Sequence, residues 1–279
     1  MAYPKWVQIV INQQEADGSW GSFHSLAKGQ PTTTEQALRR LRALGLSKDD
    51  EPIALALSYM RSCLSGELRP PDRREKVLNW DAFEAHMLAS WIRIFDPDDV
   101  QALAVADFWA TIVKAAFSSG AFNTGRYHTE YRKHIPMLNP GEQLIKLTQF
   151  YMVNLLKGRL DPKTENSFLD HIINYPTGIY YINSRAITKT PQVFASRETS
   201  YYLAALEQLV GYEGAPHKLC FAVDWIRSHQ DANDQWDLGA KSNDGIYFPL
   251  SDSWRKEADR RKDCTFRINN LLRKLSVES

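Results

Sequence analysis

Helical segments alternate with clusters of turn residues along almost all of this 279-residue chain. Apolar residues recur at helical spacing, as at Ala37, Leu38, Leu41 and Leu44, and Gly45 then provides a stop. Patterns typical of strands are scarce. This alternation is typical of helical arrays and rings. It predicts one all-α domain, residues 1–279, in which consecutive helices pack as antiparallel pairs.

Capping residues and helix breakers place ten predicted helices, which form five pairs. Two stretches between them are expected to be non-helical: 122–140 as an irregular segment, and 179–182 as a packed loop rather than a hairpin. The predicted helices cover residues 5–13, 33–45, 48–63, 81–95, 100–119, 141–156, 162–174, 196–210, 215–229 and 262–275.

Composition excludes several classes of protein. Hydrophobic residues make up 43% and charged residues 24% of the chain, which is ordinary for a folded domain. The net charge is only +1, so the chain lacks the broad basic surface of a nucleic-acid-binding protein. The longest apolar stretches fall far short of the roughly 20 residues that span a bilayer. We therefore predict no nucleic-acid partner and no transmembrane segment.

The three cysteines and the N-terminal residues indicate a cellular location. Cys63, Cys220 and Cys264 are widely separated and show no spacing typical of a disulfide framework or a zinc site. The first residues lack the apolar core of a signal peptide. We expect a cytoplasmic protein with no metal and no cofactor, whose oligomeric state the sequence leaves open.

Two segments near opposite ends of the chain look alike. Residues 14–20 read QEADGSW and residues 230–236 read QDANDQW, and each follows an apolar helix that carries a tryptophan. We call them the two Gln–Trp segments. They resemble the QW motif of squalene and oxidosqualene cyclases, and related spacing occurs in the β-subunits of protein prenyltransferases. The second copy departs from the pattern, since Asp234 stands where glycine is expected.

The resemblance implies an α/α toroid (barrel) of about five to six helix pairs. Its inner helices would begin at Thr33, Asp81, Gly141, Ser196 and Lys262, with their N-terminal ends facing the mouth of a central cavity. Five inner helices are one fewer than the six typical of the fold. The sixth position would be filled by residues 122–140, left open, or supplied by a partner subunit.

Two motifs of the related enzymes have only partial counterparts here. Residues 96–99 fit the DxDD pattern of class II terpene cyclases by letters, but they lie in a turn between helices, and carboxylates at a helix start favour capping. Asp263 and Cys264 partly resemble the Asp and Cys that bind zinc in the prenyltransferases. Adjacent residues on a helix point in different directions, so we predict a core cysteine instead.

Candidate site residues come from the predicted inner helices. The N-terminal ends of these helices would bring together, at one rim of the cavity, Glu35, Asp81, Glu84, Arg197, Glu198 and Asp263. Asp81, Glu84 and Glu198 are candidate catalytic acids and bases, although acids in a first turn also interact favourably with the helix dipole. The candidate substrate-binding residues are Trp80, Arg197, Tyr201, Trp254 and Asp263, and the aromatic members are equally suited to fill gaps between helices. The aromatic stretch 245–255 is expected to cover one mouth of the ring.

Three functions remain open at this stage. The first is a cavity protein that acts on an isoprenoid or another small molecule without a recognisable catalytic motif. The second is a non-catalytic binding or scaffold module, and the third is a carbohydrate-active α/α barrel, either a lyase or a glycosidase. A deep cavity with convergent ionised groups would favour the first, a filled ring the second, and an open aromatic groove the third.

Overall fold

The computed structural model describes residues 3–276, and within that range the regular structure is helical apart from one isolated parallel bridge between Gln149 and Tyr180. The predicted all-α class is therefore confirmed, as is the loop at 179–182. None of the described helices is both long and apolar enough to cross a membrane. The helices are α1 Lys5–Ile11, α2 Thr34–Ala43, α3 Glu51–Leu64, α4 Trp80–Phe95, α5 Val100–Ala116, α6 Thr124–His134, α7 Phe150–Leu155, α8 Pro162–Asn174, α9 Arg197–Leu209, α10 Ala215–Lys218, α11 Cys220–Arg227 and α12 Glu257–Leu275.

Side-chain caps fix the first residue of most helices whose start was predicted correctly from the sequence. Thr33, Asp99, Asp161 and Ser196 each accept a hydrogen bond from a backbone N–H in the first turn of the helix that follows. Asp99 thereby confirms the capping interpretation of residues 96–99. Its second carboxylate oxygen lies 2.7 Å from Nε of Arg61, which also ties this turn to α3.

Four predictions of helix position are wrong. The single helix expected at 215–229 is divided at Leu219 into α10 and α11. The segment expected to be irregular contains α6, which Asn123 caps and which packs on α5. The helix expected at 141–156 begins only at Phe150, because Gly141 has a positive φ of 82° and Gln143 donates to the carbonyl of Val77 instead of a helical partner. The last helix begins at Glu257, five residues before the predicted Lys262.

The two Gln–Trp segments have the same local structure. In the first, the indole N–H of Trp20 donates to the carbonyl of Val10 at 2.8 Å, and in the second, Trp236 donates to Ile226 at 2.8 Å. Both indoles are buried, and both reach back ten residues to the last turn of the preceding helix. Each of these carbonyls also accepts a backbone N–H from three residues further on, that of Gln13 at 3.1 Å and that of His229 at 3.2 Å, so each segment adds a second hydrogen bond at a helix end.

The helices with the longest buried faces form a row. α4 contacts α3, α5 and α7, α7 contacts α9, and α9 contacts α12. α4 is buried around almost its full circumference in its second half, from His86 to Arg93. It therefore lies at the centre of the packing, as expected of a helix that is apolar on all sides.

A non-helical segment connects this row back to the start of the chain. We call residues 243–255 the strap. Its backbone accepts hydrogen bonds from the guanidinium of Arg40 on α2, at the carbonyls of Ile246 (2.9 Å) and Pro249 (2.5 Å). Trp6 on α1 donates to the carbonyl of Ser251 at 2.8 Å. The first helix pair is thus bound to a segment more than 200 residues away in sequence.

The other side of the strap is held by residues of its own end of the chain. Asp263 on α12 accepts from the backbone N–H groups of Leu250 (2.8 Å) and Ser251 (3.0 Å). Asp244 accepts from backbone N–H groups within the strap and from the hydroxyl of Ser200 on α9 at 2.6 Å. The strap therefore lies between α1 and α2 on one side and α9 and α12 on the other.

Candidate functional site

The predicted catalytic pair Asp81 and Glu84 lies in a small side pocket of about 170 Å³ between α3 and α4, which Cys63 also lines. The side chain of Asp81 is 71% exposed and forms an ion pair with Arg74. Glu84 accepts from the indole N–H of Trp80 at 2.8 Å, and burial raises the pKa of its carboxyl. Trp80 is itself buried, so it supports Glu84 and forms part of the core.

The predicted residues on α9 lie elsewhere. Glu198 forms an ion pair with Arg185 at 2.6 Å, and the guanidinium of Arg197 donates to the carbonyl of Asn243 at 2.8 Å. The ring of Tyr201 meets that of Tyr247 edge-on at 6.3 Å. These three side chains therefore contact the loop before α9 and the strap, and they do not join Asp81 and Glu84.

The last two predicted residues, Trp254 and Asp263, hold the strap in place. Trp254 is buried against Phe248, with ring centroids 4.8 Å apart, and its indole N–H donates to the carbonyl of Ala240 at 3.1 Å. Both carboxylate oxygens of Asp263 accept hydrogen bonds from Ser251. The structure thus distributes the predicted site residues over three places.

A different set of residues surrounds a cavity of about 230 Å³. Helices α2, α4, α7, α9 and α12 all contribute to its wall, and so does the strap through Tyr247 and Leu250. The contributing residues lie mostly in the second half of each helix, for example Arg42 on α2, Trp91 on α4 and Gln208 on α9. We call this space the central cavity.

The central cavity is strongly basic. It is lined by five cationic side chains and one carboxylate, that of Glu207: the cations are Arg39, Arg42, Lys157, Arg267 and Lys274. Glu207 is paired with Arg267 at 2.8 Å, and Arg39 is paired with Glu35 at 2.6 Å. Within residues 3–276, no carboxylate lies within ion-pair distance of Arg42 or Lys157. Positive charge therefore exceeds negative charge inside a partly enclosed space.

Three donors in the wall lack an acceptor. The Nε of Arg39 and the indole N–H of Trp91 are buried and find no hydrogen-bond partner in the described part of the chain. The guanidinium of Arg42 also makes no side-chain hydrogen bond there. Buried donors are normally satisfied, and an unsatisfied one costs about 1–3 kcal/mol. The wall is thus short of acceptors.

The pKa values of Lys157 and Arg42 reflect the same excess of positive charge in the central cavity. Burial lowers the pKa of the Lys157 ammonium well below its ordinary value, and the charges of Arg42 and Arg93 lower it further. Burial likewise lowers the pKa of Arg42, although Glu207 acts in the opposite direction. An anion in the cavity would offset both effects.

Aromatic rings form the rest of the wall. Trp91 and Phe150 lie with their ring centroids 5.2 Å apart, and the guanidinium of Arg39 stacks 4.9 Å from the centroid of Phe150. Phe266 on α12 also lines the cavity and is 61% exposed. The cavity thus combines positive charge with apolar surface, which suits a ligand that has an anionic group and an apolar portion.

A second polar cluster lies at the first turns of α2 and α7. The carboxylate of Glu35 is buried and accepts from the hydroxyl of Tyr151 at 2.6 Å and from Arg39 at 2.6 Å. His24 lies 3.2 Å from the same carboxylate through Nδ1, and its Nε2 lies 3.3 Å from the hydroxyl of Tyr181. Arg39 therefore belongs both to this cluster and to the central cavity.

Opposing effects set the pKa values in this cluster. Burial alone would raise the pKa of Glu35, but the hydrogen bond from His24 and the charge of Arg39 outweigh it, and the pKa of Glu35 is lowered. Burial alone would lower the pKa of His24, but its hydrogen bond to Glu35 outweighs it, and the pKa of His24 is raised. The two side chains thus favour each other's charged forms.

Sequence reasoning placed Glu35 correctly among first-turn acids but missed its partners. Arg39 lies four residues after Glu35, a spacing that predicts an ion pair on one helix face. His24 and Tyr181 lie in loops, where no periodic pattern indicates what a side chain meets. A group of three or more potential metal ligands is absent from residues 3–276. Comparisons with protein-family models, curated proteins and solved structures found no match for this chain.

Proposed function

We propose that the chain is an α/α toroid whose central cavity binds a small anionic molecule with an apolar portion, of the isoprenoid diphosphate kind. Helices α2, α4, α7, α9 and α12 would form the inner ring. The strap would take the place of a sixth inner helix, because it bridges α2 and α12 and contributes to the cavity wall.

The shortage of acceptors in the cavity wall carries this proposal. A phosphate or carboxylate group offers several acceptor oxygens and negative charge. The guanidinium of Arg42 and the indole N–H of Trp91 have no acceptor among residues 3–276, and Lys157 has there only the amide oxygen of Asn154, at 3.0 Å. Uncharged sugars would satisfy the donors but leave the excess positive charge uncompensated. A purely structural ring would be expected to fill this space with packed apolar side chains.

The aromatic wall supports the apolar portion of the ligand. Phe150 and Trp91 are buried beside the basic groups, and Phe266 lies where the cavity reaches the surface. A chain of several carbons that leaves the anionic group and runs towards Phe266 would bury apolar surface worth about 25 cal/mol per Å². Charge would thus fix the head of the ligand, and the rings would hold its tail.

Calorimetric titration tests the proposal. The titrants are geranyl diphosphate, inorganic diphosphate and geraniol, which separate the contributions of head and tail. We expect geranyl diphosphate to bind most tightly and geraniol to bind weakly or not at all. Arg42→Gln and Lys157→Gln should each weaken binding of geranyl diphosphate by about 10-fold to 100-fold, since hydrogen bonds to charged groups contribute about 1.5–3 kcal/mol.

The matched control is Lys163→Gln, because Lys163 is an exposed lysine of α8 outside the cavity. It should leave the affinity unchanged. The proposal fails if geraniol binds as tightly as its diphosphate, or if all three variants weaken binding equally. Glucuronate, titrated in parallel, distinguishes a sugar-acid ligand from a prenyl one.

A further inference from the structure

Tyr181 has a backbone conformation that side chains rarely adopt. Its φ is +74°, in the left-handed region. The backbone around it is held on both sides: Tyr180 donates to the carbonyl of Thr148 at 2.9 Å, and Phe150 donates to the carbonyl of Tyr180 at 3.2 Å. Such strained residues persist where the surroundings hold them, and they concentrate at functional sites.

The strained backbone places the Tyr181 hydroxyl beside an imidazole. The distance from this hydroxyl to Nε2 of His24 is 3.3 Å, and the opposite ring nitrogen lies 3.2 Å from the carboxylate of Glu35. The hydroxyl of Tyr151 donates to that same carboxylate at 2.6 Å and lies 3.0 Å from Nδ1 of His24, so it holds both groups in position. Hydroxyl, imidazole and carboxylate thus follow one another in the order that activates a nucleophile by general-base catalysis.

We propose that Tyr181 is a nucleophile that accepts an acyl group from an uncharged ester, with His24 as its base and Glu35 as the positioning residue. The phenol oxygen forms a bond to the ester carbonyl carbon while its proton passes to Nε2 of His24. The bond from that carbon to the ester oxygen then breaks, and the leaving alcohol takes the proton from His24. The products are acylated Tyr181 and a free alcohol.

The protonation states agree with these roles. Burial raises the pKa of the Tyr181 phenol, so the hydroxyl keeps its proton at rest and needs a base at the moment of bond formation. The hydrogen bond between His24 and Glu35, together with the negative charges of Glu35, Asp72 and Glu75, holds the pKa of His24 above the ordinary value against the effect of burial. The basic form of His24 therefore increases as the pH rises through and above neutrality.

The same acids select the class of substrate. Glu35 is paired with Arg39, but the charges of Asp72 and Glu75 also act on His24, and this negative charge disfavours a phosphorylated or carboxylate-bearing donor at this position. Tyr181 is 40% exposed, and the neighbouring rings of Phe83 and Tyr180 provide apolar surface. An uncharged ester with a flat or apolar acyl portion fits this setting. The acyl transfer does not require an anion in the central cavity, although Arg39 contacts Glu35 and also lines that cavity.

Tyr180 provides a matched control within the wild-type chain. It is 55% exposed, more than Tyr181, and their ring centroids lie 4.1 Å apart. Unlike Tyr181, it has no hydrogen bond to an imidazole among residues 3–276. If exposure alone governed reactivity, Tyr180 would therefore react first.

The experiment treats the full chain with p-nitrophenyl acetate and maps acetylated tyrosines by peptide mass spectrometry. We expect Tyr181 to be acetylated at least about tenfold faster than Tyr180, with release of one equivalent of nitrophenolate per chain. His24→Gln should lower the rate at Tyr181 by about tenfold or more and remove the rise near neutral pH that follows deprotonation of the imidazole, leaving only the rise at high pH from ionisation of the phenol. Glu35→Gln should lower the rate while retaining a shifted pH profile.

Equal or faster acetylation of Tyr180 in the wild-type protein overturns the proposal, and so does an unchanged rate at Tyr181 in a folded His24→Gln variant. The ratio of the two tyrosines needs no variant, so it decides the question even if a substitution prevents folding. Diphosphate binding in the central cavity is a separate measurement, and its failure would leave this result unaffected.

Discussion

Gly18 and Asp234 occupy equivalent positions in the two Gln–Trp segments, and both have a left-handed backbone, with φ values of +93° and +59°. Their surroundings differ. A Cβ atom on Gly18 would lie 2.5 Å from the carbonyl oxygen of Leu55, whereas Asp234 is exposed and carries its side chain into solvent. The first copy therefore requires glycine, and the second accepts aspartate, which tolerates this conformation better than most residues.

We expect Gly18→Ala to lower the free energy of unfolding by about 2–4 kcal/mol, because left-handed strain adds to a clash with the α3 backbone. Urea denaturation followed by circular dichroism measures the change. A loss below about 1 kcal/mol would contradict the close approach of these two backbones.

Asp234→Gly is the complementary substitution. Glycine removes the left-handed strain but also gains freedom in the unfolded chain, so the two effects nearly cancel. We expect the free energy of unfolding to change by less than about 1 kcal/mol in the same assay. A loss as large as that of Gly18→Ala would show that the side chain of Asp234 has a structural role not evident from its exposure.

Asp263→Ala should release the strap. It removes the acceptor of the Leu250 and Ser251 backbone N–H groups, and an unsatisfied buried group costs about 1–3 kcal/mol. We expect faster cleavage within residues 243–255 during limited proteolysis. Asp252→Ala is the control, since Asp252 is exposed and makes no side-chain hydrogen bond within residues 3–276. Equal cleavage of both variants would exclude Asp263 as the anchor.

The pair of His24 and Glu35 predicts a pH dependence of stability. The folded pKa of His24 is raised, so its contribution is complete below its ordinary pKa of 6.5 and is lost as the pH rises through the folded value. The folded pKa of Glu35 is lowered, so its contribution is present above 4.5 and is lost as the pH falls through the folded value. Both contributions are present together only in mildly acidic solution.

His24→Gln should therefore destabilise the protein more at about pH 5.5 than at about pH 8.5. Urea denaturation of wild type and variant at the two pH values measures this difference. An equal loss at both would show that the imidazole contributes only by packing.

Lys157→Met should stabilise the empty protein. Burial and the neighbouring cations Arg42 and Arg93 disfavour the charged ammonium, and an apolar side chain of similar length avoids this repulsion, which outweighs the loss of the hydrogen bond from Lys157 to Asn154. We expect the free energy of unfolding to rise by about 1 kcal/mol while diphosphate binding weakens. Thermal denaturation with and without diphosphate separates the two effects. Destabilisation without ligand would assign Lys157 a structural role instead.

Local chemistry explains which elements the sequence predicted well. α8 has the predicted bounds, because Asp161 and Pro162 mark its start by capping and by a fixed φ. α7 was predicted to begin nine residues too early, since the apolar residues of 141–149 pack in a non-helical segment that only tertiary contacts define. Asn123 and the spacing of Tyr127 and Tyr131 would have indicated α6.

The candidate sites were harder to predict because they join distant segments. Glu35 could be placed from its position in a first turn, but its contact with Tyr151 spans 116 residues. Asp81 and Glu84 share a helix face as predicted, yet that face turns towards α3 and not towards the central cavity. The basic cavity wall required knowledge of which helix faces converge, and periodicity does not give the rotation of one helix relative to another.

The anchoring of the strap to α1 and α2 has a consequence for how the chain folds. Trp6 and Ser251 are 245 residues apart, so their contact forms only after Ser251 has left the ribosome. Contacts of such long sequence separation slow folding, because their entropy cost precedes their energetic benefit. Until that moment α1 and α2 lack the segment that covers one of their sides, and a chaperone could bind them there.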